Sequence, residues 1–240
     1  MKHSAVVTHG QSIATRARYS LGMPRSLVSV VVGALFAGCA AQLVRAQTNS
    51  QTSDYSDYEF SGGFGKWTRD ISNNAVSVRL WYPLANDQGI ALFSGFTTIR
   101  EFSLKVPSRY NMGISAAGIA SLTPLTNLTK LSVACAGSLR PGVVEAICRL
   151  KQLRELQLYA AHPPPQEYAC LTNLQNLTTL SIIYNTNFCD RELSILTNLT
   201  NLRSLTLRDD GFSEEGVRVL AGMTSLTNKD VQVWRRSTKR

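Results

Sequence analysis

Apolar residues follow two alternating rhythms along this chain. In LTNLTKLSV (125–133), LKQLRELQL (150–158), LQNLTTLSI (174–182) and LTNLRSLTL (199–207) they come at three-residue steps and then alternate with polar ones. The alternating half, such as Leu156-Gln157-Leu158, predicts a strand with one buried face, because successive side chains point to opposite sides. The three-residue steps extend upstream through Val144, Ile147, Leu150 and Leu153. They predict a helix or 3₁₀ turn with one inward stripe.

The units repeat at a nearly fixed period. Leu131, Leu156, Leu180 and Leu205 are separated by 25, 24 and 25 residues. FTTIREFSL (96–104) puts Phe102 in the same place, AVSVRLW puts Val78 there, and MTSLTNKDV (223–231) substitutes Lys229. A unit this small cannot bury its own stripe, so each must stack on the next. Strands at a constant step, each returning through a convex segment, become parallel neighbours with right-handed connections. The expected class is therefore α/β: a solenoid of about six to seven units, with parallel strands on the concave face and helices or 3₁₀ turns on the convex one.

Over roughly residues 75–234 the pattern resembles the leucine-rich repeat family, L-x-x-L-x-L-x-x-[NC]-x-L in units of 20–29 residues. The convex segments ISAAGIASLTPL, SLRPGVVEAICRL, PPPQEYACLTNL, NFCDRELSILTNL and GFSEEGVRVLAGM resemble its helix-containing ribonuclease-inhibitor and cysteine-containing kinds. The resemblance implies a non-enzymatic protein that binds a protein or peptide. The chain departs from the family at one position: only Asn185 supplies the asparagine, where Pro107, Ala136, Ala161 and Asp210 stand in other units. Other bonds must support those turns.

The ends read differently from the body. Residues 67–83 are irregular and aromatic and suit an N-terminal cap. Lys229 and Asp230 open the other end to solvent, so a repeat domain with its caps spans 67–234, followed by a basic tail at 235–240. Residues 27–44 are apolar except for Ser29 and Gln42, follow Arg25, and end in Val44-Arg45-Ala46. This is the layout of a secretory signal within 1–46, with Met23 as a candidate translation start. Two rivals use the same residues: a bacterial lipoprotein signal, in which Leu35-Phe36-Ala37-Gly38-Cys39 makes Cys39 the lipidated residue, and an uncleaved anchor. All three place the body outside the cytoplasm. Residues 47–66, rich in Gln, Ser, Thr and Asp at their start, read as a flexible polar spacer.

Charge and reactive side chains narrow the function. The net charge of +9 is carried by the ends: residues 1–46 hold five basic groups and no acid, and residues 235–240 hold four more. The body is neutral and offers no broad phosphate-binding face, so no nucleic-acid partner is expected. His162 is the one histidine of the body, and the five cysteines never approach C-x-x-C spacing. No metal, cofactor or catalytic centre is expected. His162, before Pro163-Pro164-Pro165, reads as a solvated turn residue. Of the thiols, Cys170 is expected buried, Cys148 outward, and Cys135 and Cys189 in turns, free rather than bridged. Asn127-Leu128-Thr129, Asn176-Leu177-Thr178 and Asn198-Leu199-Thr200 match the glycosylation triplet.

The exposed strand positions are the candidate partner-binding residues. The outward column reads Trp81, Lys105, Ala134, Tyr159, Ile183 and Arg208, with Tyr184 and Asp209 beside it and Arg79, Ser103, Ser132, Gln157, Ser181 and Thr206 on the intervening column. Tyr, Trp and Arg dominate binding hot spots. An exported binding module on Trp81, Lys105, Tyr159, Ile183, Tyr184, Arg208 and Asp209 is the leading reading. The alternative is an envelope structural or adhesion lipoprotein attached to a membrane through its N-terminus. A hydrolase would need Asp209, Asp210, Glu214 and Glu215 as a carboxylate site, but a helix start explains acids there.

Overall fold

The computed structural model describes residues 55–59, 65–72, 74–82, 84–106, 114–208 and 212–232. The export segment with Cys39, residues 47–54 of the spacer, Asp209, Asp210 and the tail 235–240 lie outside them.

The chain folds as a leucine-rich-repeat solenoid built on one sheet, ordered β1 to β9 as in sequence. The strands are β1 (Tyr55–Glu59), β2 (Gly65–Asp70), β3 (Ala75–Trp81), β4 (Glu101–Val106), β5 (Lys130–Cys135), β6 (Glu155–Tyr159), β7 (Thr179–Ile183), β8 (Ser204–Arg208) and β9 (Asn228–Gln232). From β3 onward all pairs are parallel. Between them lie short helices α1 (Asp87–Ala91), α2 (Ala116–Ala120), α3 (Val143–Ile147), α4 (Asp190–Leu196) and α5 (Glu214–Arg218), and 3₁₀ segments at Pro165–Asn173 and Val219–Gly222. Pro164 caps the Pro165–Asn173 segment and Pro165 opens it, where a missing N–H costs no helical bond.

The register is the one the spacing predicts. Val78, Phe102, Leu131, Leu156, Leu180, Leu205 and Lys229 are successive partners across β3 to β9. From Val78 to Leu205 these positions are at most 1% exposed. The three-residue steps have their own cause. Leu122, Leu125 and Leu128 donate to Ile119, Leu122 and Leu125, and Leu199 and Leu202 donate to Leu196 and Leu199. These i→i+3 bonds wind three residues per turn, so leucines three apart fall on one inward face. Burying each such leucine stabilises the unit by about 1.5–3 kcal/mol.

A backbone ladder recurs at the starting ends of the strands in every one of these units, with or without the asparagine. Each of the Arg100, Thr129, Arg154, Thr178 and Arg203 carbonyls accepts two backbone N–H groups from the next unit, such as those of Arg154 and Glu155 on Thr129. Beside this ladder runs one of side-chain amides. Asn127 donates to Thr97 O, Gln152 to Leu125 O, Asn176 to Lys151 O and Asn201 to Gln175 O. Two of the three triplet asparagines therefore spend their Nδ2 on the neighbouring unit.

The convex side is tied by carboxylates. Asp87 accepts from the Ser115 N–H and hydroxyl at the start of α2, and Asp190 does the same for Ser213 at the start of α5. Gly118 and Gly216 make room: a Cβ on either would fall on the facing carboxylate. Glu167 accepts from the Gly142 and Val144 N–H groups before and within α3.

Three sequence expectations are corrected. Tyr55–Glu59 was assigned to a flexible spacer but is strand β1, antiparallel to β2, so the N-terminal cap is a hairpin stack that starts earlier. Cys148 and Cys170 are not free: they form a disulfide across 22 residues, Cα–Cα 5.8 Å, and Cys148 is buried rather than outward. Adjacent units place the two on neighbouring convex turns, a proximity invisible in spacing alone. His162 is half-buried, and its Nδ1 accepts the Thr186 N–H at 3.3 Å, rather than standing free in solvent.

Candidate functional site on the open strand face

The alternation of each strand leaves every second residue on the face away from the helices. The third column of that face is in unbroken register: Trp81, Lys105, Ala134, Tyr159, Ile183 and Arg208 are successive partners. Neighbouring strands stand about 4.8 Å apart, so the column is a continuous strip. Lys105, Tyr159 and Arg208 are exposed; Trp81, Ala134 and Ile183 are half-buried.

The backbone beyond the strands aims the aromatic residues. Ala160 and Tyr184 follow β6 and β7 at equivalent positions, and both have left-handed φ, 49° and 55°. Such a conformation costs an L-residue about 1–2 kcal/mol. It persists because the surrounding bonds hold it: Ala160 N donates to Ile183 O and Tyr184 N to Arg208 O. Asn185, fully buried, completes the turn. Its Oδ1 accepts from the Ala161 and His162 N–H groups, and its Nδ2 donates to the Leu158 and Ile183 carbonyls. This turn sets the Tyr184 ring edge-on against Tyr159, centroids 5.3 Å apart and planes at 87°. Both rings stay open to solvent, at 45% and 55% exposure, so the pair is rigid and accessible at once.

The strip differs along its length. At the β8 end Arg208 is committed: its Nε and Nη2 donate to Asp230 Oδ2 at 3.1 and 2.6 Å. That hydrogen bond raises the Arg208 pKa further. At the other end a cavity of about 520 Å³ is lined by Trp81, Tyr82, Lys105, Val106, Ala134, Ala136 and Tyr159. Three of the sequence-nominated residues, Trp81, Lys105 and Tyr159, share it. Ile183, Tyr184 and Arg208 lie outside it on the same face. Tyr82 and Ala136 were not nominated, because each follows its strand in a turn whose course the repeat pattern leaves undefined; Val106, the last residue of β4, belongs to the buried face.

Other candidate chemistry disperses. Glu214 and Glu215 sit exposed in the first turn of α5, where Glu215 approaches Arg218 at 3.8 Å. Burial pushes the Cys135 thiol up, and the hydrogen bond to Glu192 does the same for Cys189, so neither is an activated thiolate. Among the described residues no group of three or more His, Cys, Asp or Glu could hold a metal, and no helix is long and apolar enough to cross a membrane.

Known proteins give a coarse likeness. No family model matches the chain, and no curated protein does. Among solved structures it is similar to an internalin (inlF) from Listeria monocytogenes, at 18% identity over 62% of this chain and 46% of that one, TM-score 0.39. It is also similar to an internalin C2 from the same organism, at 21% identity over 69% and 80%, TM-score 0.40. A third is the Toll–Spatzle complex of Drosophila, at 9% identity over 77% and 34%, TM-score 0.35. The chain spans about half the length of the first. The assignment to a leucine-rich-repeat solenoid rests on the register and bonding described above.

Proposed function

We propose that this protein is an exported, non-enzymatic binding module that captures a protein or peptide on its open, concave strand face. The observation that carries the reading is the Tyr159–Tyr184 pair, locked by Asn185 and left exposed in the middle of a registered strip. Rigid aromatic rings lose little entropy on binding and supply the anchors of most interfaces. Trp81, Lys105, Ile183 and Arg208 extend the contact surface on either side. The Cys148–Cys170 disulfide supports export, since such bonds persist in oxidising compartments. The apolar segment 27–44 supplies the signal.

The experiment compares proteins captured from the native host by the full chain and by its Tyr159→Ala/Tyr184→Ala double variant. The reading expects at least one partner that the wild type retains and the variant loses. Identical captured sets contradict it. The second reading, an adhesion lipoprotein, is favoured by the string Leu35-Phe36-Ala37-Gly38-Cys39. Mass spectrometry of the mature N-terminus separates the two: a chain beginning at Gln47 supports release, and acyl chains on Cys39 support anchoring.

A further inference from the structure

We propose that the cavity between Trp81 and Tyr159 is a docking subsite for an acidic segment of a partner protein. In that segment a carboxylate side chain would stand beside an aliphatic or aromatic one. The proposal rests on the strand face being a protein-binding surface and adds the chemistry of the partner.

Shape gives the apolar half. Trp81 and Tyr159 are three strand spacings apart, about 14 Å, and Lys105 and Ala134 are the residues between them. The cavity exists because Ala134 is small at a position occupied in the next units by Tyr159 and Ile183. Its 520 Å³ exceeds what one side chain fills. Aromatic walls over an alanine floor suit an apolar group that is fully covered on binding.

Charge gives the acidic half. Two cations of the open face already have partners: Lys130 pairs with Glu155 at 3.1 Å and Arg208 with Asp230 at 2.6 Å. Lys105 is exposed at the cavity and forms no ion pair among the described residues. Arg79, also exposed, lies two residues before Trp81 on the same face. Among β3 to β6, the acids on this face, Glu101 and Glu155, stand at the starts of their strands. Four residues of strand, about 13 Å, separate Glu101 from Lys105, more than a physiological screening length of about 8 Å. At the cavity itself, Lys105 is therefore an exposed cation complementary to a carboxylate.

The middle column explains why the occupant is a chain rather than an isolated small acid. Ser103 and Ser132 are neighbours in the column beside the cavity, a pair of short hydroxyl side chains between Arg79 and Gln157. They leave space for a main chain and offer it donors and acceptors.

The test is selection of a displayed random dodecapeptide library on the immobilised full chain, followed by fluorescence anisotropy with the enriched peptides. The expected result is enrichment of Asp or Glu next to Leu, Phe or Trp, with binding that weakens as salt rises. Lys105→Glu should weaken it about ten-fold and remove most of the salt dependence. Ala134→Leu should weaken it by a similar factor by filling the cavity, at an unchanged unfolding midpoint. Should that midpoint fall, Ala136→Leu at the rim gives the same readout. Enriched peptides without acids overturn the proposal, as do peptides indifferent to these substitutions but weakened by Tyr184→Ala. Both results leave the face a binding surface. Absence of any enrichment also overturns it, while the broader reading stands or falls on the host-capture comparison.

Discussion

Replacing Asn185 with alanine probes the turn that positions the aromatic pair. The side chain is 0% exposed and makes four hydrogen bonds. Removing it orphans two N–H groups. That of Ala161 is fully buried and costs about 1–3 kcal/mol when unpaired; that of His162, half-buried, falls near the low end. The Ile183 carbonyl keeps the Ala160 N–H, so the acceptor side loses less. The sum is a destabilisation of about 3 kcal/mol. Asn201→Ala, which removes one exposed amide bond to Gln175 O, should cost about 0.5–1 kcal/mol. Urea unfolding followed by far-UV circular dichroism measures both, with an unchanged m-value expected. A loss below about 1 kcal/mol for Asn185→Ala, or one equal to Asn201→Ala, would refute the claim that this side chain holds the turn.

Further outcomes follow from the convex side and the cap. Gly118→Ala and Gly216→Ala should each cost about 2 kcal/mol in the same unfolding assay, because the new methyl displaces the Asp87 or Asp190 carboxylate from its serine. Reduction of Cys148–Cys170 should cost about 3 kcal/mol for a loop of this length. Alkylation in denaturant without reductant should then label Cys135 and Cys189 but neither bridged cysteine. The Asp70 carboxyl is held below its ordinary value, first by the Asn74 N–H and then by the Asn74 side chain and the Ser72 N–H. Its contribution is thus present above the unfolded-chain value near 4 and fades as pH falls through the folded one. The stability difference between wild type and Asp70→Asn should shrink as pH drops from 6 to 3; a constant difference contradicts the assignment.

What the sequence made legible was whatever the repeat enforces. The 24–25 residue step fixed the partners of Leu131, Leu156, Leu180 and Leu205, and with them the outward strip from Ala134 to Arg208; Lys105 and Trp81 joined it through the motif, across a 29-residue interval from Phe102 to Leu131. Period-two alternation then decided which side chains stay open. The hidden parts depend on contacts between residues that no period relates. Cys148 meets Cys170 because two convex turns of different geometry happen to abut. Tyr55–Glu59 pairs with Gly65–Asp70 despite a polar composition typical of linkers. The amide ladder of Asn127, Gln152, Asn176 and Asn201 was visible as a recurring residue type, but its triplets invited a glycosylation reading instead. The cavity depends on a single small residue, Ala134, whose significance appears only once its neighbours in the column are known.

The central claim is that residues one repeat apart are adjacent strands of a single stack, presenting one continuous face. Spin labels at Ser103 and Thr206, both on the open face and four strands apart, test it directly by pulsed electron resonance. The account predicts a narrow distribution centred near about 19 Å, four spacings of about 4.8 Å. A broad distribution, or a mean beyond about 30 Å, would contradict a continuous stack of strands.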